Sequence, residues 1–291
     1  MMLPSTVRRA AGSGGLDSIV IDSPLCHAAV YLQGAHVASW QPAGERPVLW
    51  LSPASLFAPG KAIRGGVPIC LPWFGPHPED PSAPSHGFAR TSPWTLDEAR
   101  DVEDGRVAVA LGLHHAAGSS PLWPAAFDTR FVVTVGRELD MSLTIHNTGA
   151  TAARVEAALH TYFAVSDIQA VAVSGLEGTE YLDKVEGFAR KREGAGPIRF
   201  TQETDRVYLD TVATCSILDP GWNRRIIIAK RGSAATVVWN PWDERSRTMS
   251  DMGPEVWRGM LCVETAAVGA SAVALAPGAS HEIAATIALV R

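Results

Sequence analysis

Apolar and polar positions alternate with a period of two along much of the chain, and the clearest case lies between residues 139 and 146. There Leu139, Met141, Leu143 and Ile145 alternate with Asp140, Ser142 and Thr144. Successive side chains of a strand point to opposite faces, so this pattern predicts a half-buried antiparallel strand that turns at Asn147, Thr148 and Gly149. Short β-branched or alternating runs recur at residues 28–32, 107–113, 130–135, 155–165, 225–230, 235–239 and 281–290, bounded by Gly, Pro, Asn or Asp. No long amphipathic helical period interrupts them. Many short strands without strand–helix alternation predict an all-β fold, a large sandwich of antiparallel sheets, over a parallel α/β architecture. No internal repeat or linker divides residues 1–291, and the charged stretch 183–206 reads as a surface excursion; a single domain is expected.

One segment departs from the alternation. Residues 63–90, IRGGVPICLPWFGPHPEDPSAPSHGFAR, are dense in proline and glycine. Proline fixes φ and glycine admits positive φ, so such a segment follows one rigid, irregular path. A loop this long within a packed chain is functional or disordered, and Ile69, Leu71, Trp73 and Phe74 argue for order.

Composition narrows the class of function. Hydrophobic residues make up 46% and charged residues 19% of 291, which describes a globular chain, and a net charge of −5 provides no basic footprint for nucleic acid. No apolar run has the length of a signal peptide's core or of a membrane span, so membrane partners are not expected and the chain reads as a cytoplasmic monomer. The four cysteines are far apart and read as buried, reduced thiols. His114 and His115 are adjacent, and strand neighbours face opposite sides, so the pair is not expected to hold a metal.

Several polar residues stand out against apolar surroundings. His160 lies in ALHTYFAV, where it is either a hydrogen-bonded core histidine or a catalytic acid–base. Glu264 follows Met260, Leu261, Cys262 and Val263; a carboxylate in such a run has a task or an arginine partner. Arg64 and Arg90 bracket the proline-rich loop, as anion-binding forks or as clamps on loop carbonyls. His86 precedes Gly87, whose lack of a side chain permits close approach. Asp205 in ETDRVY reads in isolation as a turn initiator. Trp239 and Trp242 in VVWNPW are candidates for a sugar-stacking platform or for core aromatics.

Taken in order, IRGGVPICLPWFGPH, HGFAR, ALHTYF, ETDRVY, VVWNPW and CVETA resemble the D-hexose-6-phosphate mutarotase (glucose-6-phosphate 1-epimerase) family, within the wider aldose 1-epimerase group. The resemblance runs from about residue 34 to residue 267. It implies a β-sandwich of the galactose mutarotase type (a supersandwich) and cofactor-free interconversion of the α and β anomers of a hexose 6-phosphate. It further implies that His160 and Glu264 are the catalytic pair and that Arg64, Ser85, His86, Arg90 and Asp205 line the sugar phosphate site. In such a pair, a protonated histidine and a carboxylate would each stabilise the charge of the other. Two rival readings remain: an aldose 1-epimerase acting on an unphosphorylated hexose, and a carbohydrate-binding protein without turnover.

Overall fold

In the computed structural model, which describes residues 2–290, the strand Leu139–Asn147 buries every odd-numbered side chain and leaves the even ones half-covered. This strand sits inside an eight-stranded sheet. The order is Ala172–Ser174, Cys215–Asp219, Arg224–Arg231, Ser280–Val290, Leu139–Asn147, Phe127–Val135, Val107–His115 and Thr95–Asp101. A second eight-stranded sheet carries Ala189–Arg192, Glu180–Asp183, Thr204–Tyr208, Ala235–Asn240, Met260–Ala267, Ala157–Leu159 and Ile69–Cys70 in that order, and Tyr162–Ala164 also pairs with Met260–Ala267. The N-terminal strands Val7–Ala11, Asp17–Asp22, Cys26–Tyr31 and His36–Pro42 form a four-stranded sheet. The strand pairings of these sheets are antiparallel.

One apolar core links the sheets. Leu143 and Phe131 from the first, Leu261, Val263 and Val238 from the second, and Val30 and Trp40 from the third belong to the same buried cluster. Burying such side chains stabilises the fold by about 1.5–3 kcal/mol each relative to exposure. The second sheet also has a covered outer face. Cys70, Ala158, Val207, Ala235, Val237 and Ala266 pack there, beside Tyr162, Met260 and Cys262. Along Met260–Ala267 all eight side chains are therefore buried, the odd ones in the core and the even ones beneath the outer face.

The stretch 183–206 runs over the surface as expected, and the excursion is built from paired strands. It folds as a hairpin at the edge of the second sheet, with Glu180 opposite Arg192 and Asp183 opposite Ala189, before Thr204–Tyr208 pairs with both neighbours. Its charges satisfy one another across the hairpin: Arg190 and Arg192 reach Glu180, and Lys191 reaches Asp183 and Glu186. Charge density therefore marks a solvated edge here. Asp205, however, is no turn initiator, because it lies within a strand opposite Trp239.

The proline-rich loop is pinned by close backbone contacts. His86 (φ 66°) and Gly87 (φ 72°) both adopt left-handed conformations, and a Cβ on Gly87 would lie 1.9 Å from the Leu71 carbonyl oxygen. Gly87→Ala is expected to lose at least the roughly 1–2 kcal/mol of a left-handed non-glycine residue, seen as a lower Tm in thermal unfolding. An unchanged Tm would contradict this packing. The four cysteines are free and buried. His115 is buried against the Trp123 carbonyl, whereas His114 is exposed beside Asp128, on opposite sides as alternation requires. Among the described residues no helix is long and apolar enough to cross a membrane.

Candidate active site

The central strand Met260–Ala267 sets the geometry. On one side of a break, Leu159 lies opposite Thr265; on the other, Tyr162 lies opposite Cys262. Both pairings keep the same register, so His160 stands across from Glu264. Side chains directly opposite in an antiparallel pair start about 4.5–5.5 Å apart at Cβ, and here His160 Nε2 lies 3.3 Å from Glu264 Oε1. The 155–165 run is thus not the single strand its sequence predicts. At the break the Thr161 amide turns back to the Leu159 carbonyl instead of donating across to the central strand, and at the earlier interruption the Glu156 side chain accepts from the Phe74 and Gly269 amides.

Two adjacent rungs of the ladder place the other residues. One runs His160, Glu264, Val237, Val207; the next runs Tyr162, Cys262, Trp239, Asp205. Both point to the outer face, where His160, Glu264, Val237, Trp239 and Asp205 line the floor of a cavity of about 640 Å³. The proline-rich loop supplies Phe74, Ser85, His86 and Arg90 as one wall, and the hairpin supplies Lys184, Val185 and Phe188 as another. All seven residues singled out from the sequence (Arg64, Ser85, His86, Arg90, His160, Asp205 and Glu264) line this cavity. Trp239 lines it too; Trp242 packs instead against Trp257, because Pro241 turns the chain into the short helix Trp242–Arg247. Lys184 and Tyr162 carried no sequence signal, one sitting in a charged stretch and the other in an apolar strand.

His160 is held by rings. Its imidazole stacks on Tyr162 (centroids 4.8 Å apart, planes within 10°), with Trp239 and His86 presenting edges at 6.0 and 5.7 Å. Trp50 stacks behind Tyr162 at 5.8 Å. Buried polar atoms are ordinarily hydrogen-bonded, yet His160 Nδ1, Glu264 Oε2 and Asp205 Oδ1 have no partner. Three unpartnered buried atoms around one cavity leave hydrogen-bonding capacity unused beside it.

The cations of the cavity differ in how far they are already neutralised. Arg64 donates Nε to Asp251 Oδ2 at 3.0 Å and Nη1 to the Tyr162 hydroxyl at 2.8 Å, while its Nη2 also lies 3.0 Å from Asp251 Oδ2. Lys184 Nζ lies 2.9 Å from Asp205 Oδ2. Arg90 instead donates Nη2 to the uncharged Ser85 carbonyl at 2.6 Å. Ser85 thus acts through its main chain, as a stay for Arg90. His86 accepts from the Gly75 amide at Nδ1, 3.3 Å away.

Burial dominates the protonation of the pair. It raises the Glu264 carboxyl well above the usual carboxylate range, with Lys184 and Arg90 opposing. It also lowers His160 well below its usual value, an effect reinforced by Arg90 and Arg64. Desolvation disfavours whichever form is charged, so the pair leans towards a neutral acid and a neutral imidazole, not the ion pair expected from sequence. The two arrangements contain the same number of protons. Either way the pair holds one proton to give and one site to receive.

A stability consequence follows from the sign of these shifts. With its native pKa raised, Glu264 still binds a proton when the unfolded chain has lost one, so its contribution falls as pH rises above about 4.3. His160, lowered in the native state, contributes above about 6.5 and loses that contribution as pH falls. Glu264→Gln removes the first effect and leaves His160 in place. The variant is expected to melt close to wild type near pH 5 and increasingly above it towards pH 8; thermal unfolding in a pH series with no widening gap would contradict the buried carboxyl.

The chain belongs to the aldose 1-epimerase family, whose model matches residues 17–287. It is 42% identical over 251 residues to an Escherichia coli (strain K12) protein named "Putative glucose-6-phosphate 1-epimerase", covering 86% of this chain and 83% of that one. A Cenchrus ciliaris protein of the same name is 38% identical over 273 residues, covering 91% and 82%. Among solved structures, a Salmonella typhimurium protein described as a "putative mutarotase" superposes with a TM-score of 0.92 at 36% identity, over 100% of this chain and 95% of that one. A galactose mutarotase-like protein from Clostridium acetobutylicum shares the fold at a TM-score of 0.72 and 12% identity, over 98% of each chain.

Proposed function

We propose that this protein interconverts the α and β anomers of a hexose 6-phosphate, with glucose 6-phosphate as its substrate. The observation that carries the reading is the buried His160–Glu264 pair, 3.3 Å apart in a cavity that also holds Arg90 on a neutral carbonyl. Anomer exchange needs one base and one acid that return to their starting states. Transfer of one proton from Glu264 to His160 gives the ion-pair form of the pair, in which Glu264 takes the proton of the anomeric hydroxyl while His160 gives one to the ring oxygen. The freed electron pair becomes the carbonyl bond as the bond from the anomeric carbon to the ring oxygen breaks. Rotation about the C1–C2 bond presents the other aldehyde face, and closure returns both protons. The reaction is redox-neutral, so the residues named supply its whole chemistry without a cofactor. Each proton transfer is worth about 10²- to 10⁴-fold.

Arg90 is the phosphate seat in this reading. A guanidinium whose partner is an uncharged carbonyl keeps its charge for an incoming anion, whereas Arg64 is already matched by Asp251. Arg64 then anchors Tyr162 and borders the site. His86 and Asp205 offer polar contacts to the sugar. The activity is carried by a single domain, residues 1–291, acting as a cytoplasmic monomer without nucleic acid or membrane partners, in keeping with the composition.

NMR magnetisation exchange between the two anomers of glucose 6-phosphate, run beside free glucose, tests the reading. Acceleration confined to the phosphorylated sugar supports it. Equal acceleration of both sugars would make the protein a general aldose epimerase, and binding without acceleration of either would make it a sugar-binding protein.

A further inference from the structure

Lys184 follows the strand Glu180–Asp183 at the rim of the cavity, and its amide donates to the Asp205 carbonyl at 2.8 Å. Its side chain returns to the same residue. Nζ lies 2.9 Å from Asp205 Oδ2, with the two side chains 22% and 18% exposed, and 5.5 Å from the centroid of the Phe74 ring. The ammonium is therefore fixed between a carboxylate and an aromatic face, both favourable to a cation. The other carboxylate oxygen, Asp205 Oδ1, is buried with no partner beside that same cavity. An ionised carboxylate is an acceptor only, and a sugar presents hydroxyl donors.

We propose that Lys184 is a positioning residue: it caps one oxygen of Asp205 so that the other is ionised, oriented and bare to accept a sugar hydroxyl. This rests on the sugar phosphate reading of the site. The geometry also separates Lys184 from the phosphate seat, because its charge is matched by a carboxylate and that of Arg90 is not. Burial raises the Asp205 carboxyl, and Lys184 is the largest influence holding it down. Without Lys184 the carboxyl would protonate at higher pH and turn more freely.

A double-mutant cycle on the full chain decides the matter. Lys184→Met is expected to raise the KM for glucose 6-phosphate about tenfold, the scale of one hydrogen bond to a charged group, and more than it lowers kcat. The acid limb of kcat/KM should move to higher pH. Lys184→Arg should restore most of the loss. Lys184→Met combined with Asp205→Asn should lose little more than the worse single variant, since both remove one contact. Inorganic phosphate, used as a competing probe, should bind Lys184→Met within about twofold of wild type while Arg90→Ala loses it. Additive losses in the cycle, or phosphate affinity that falls with Lys184→Met as much as sugar phosphate affinity does, would overturn the proposal. If Lys184→Met does not fold, the unaltered acid limb or KM of a Lys184→Gln variant would overturn it equally. If wild type accelerates no anomer exchange, the catalytic reading fails, and the same cycle read as dissociation constants of glucose 6-phosphate still decides the role of Lys184.

Discussion

Glu264→Gln and His160→Ala are each expected to lower anomer exchange of glucose 6-phosphate by about 10²- to 10⁴-fold while the chain remains folded. Glutamine keeps the shape of the Glu264 side chain but cannot receive the anomeric proton. Alanine at 160 removes the imidazole and leaves Tyr162 and Trp239 facing a gap, so its fold is checked separately by thermal unfolding. Because the two groups act on one proton circuit, the double variant should be little slower than the worse single one. Magnetisation-exchange rates measure both. Near-normal turnover in either single variant would remove the pair from the chemistry, and a Glu264→Gln variant that binds substrate normally without turnover would place the loss in the chemical step.

Arg90→Ala is expected to raise the KM for glucose 6-phosphate by about 10- to 100-fold, with no matching change for any binding of free glucose. The estimate corresponds to the loss of charge-assisted hydrogen bonds worth roughly 1.5–3 kcal/mol. The phosphoryl group does not react, so its binding is the same before and during ring opening. Such uniform binding appears in KM and not in kcat. A loss of kcat at unchanged KM would instead tie Arg90 to the pair, and equal effects on phosphorylated and free sugar would show that the arginine reads something other than phosphate.

How much of this was legible without coordinates depends on what each residue had to overcome. Alternation at Leu139–Asn147 translated directly into burial, because a sheet with one face in the core enforces a period of two. His160 and Glu264 were visible because an ionisable group in an apolar run must be paired or used. The break after His160 was not visible, since it lies in the Thr161 amide turning back to the Leu159 carbonyl, which no apolar pattern marks. Asp205 looked like a turn residue by type, and only its pairing with Trp239 placed it in a strand. The contacts of Arg64 with Asp251 and Tyr162 join positions 187 and 98 residues apart, a separation that no local pattern encodes. Lys184 was hidden by its charged neighbours, whose charges are satisfied across their own hairpin while its own turns inward.

The shared register on either side of the His160 break makes the acid-to-base distance a discrete quantity. Losing a single residue between Leu159 and Tyr162 could not draw the imidazole slightly closer to Glu264; it would offset the two halves of the ladder by one step and invert one of them, side chains and all. Fine adjustment has to come from elsewhere, namely the rings around His160 and the charges around Glu264, which can change one at a time. The backbone writes the spacing in whole numbers, and the surrounding side chains supply the fractions.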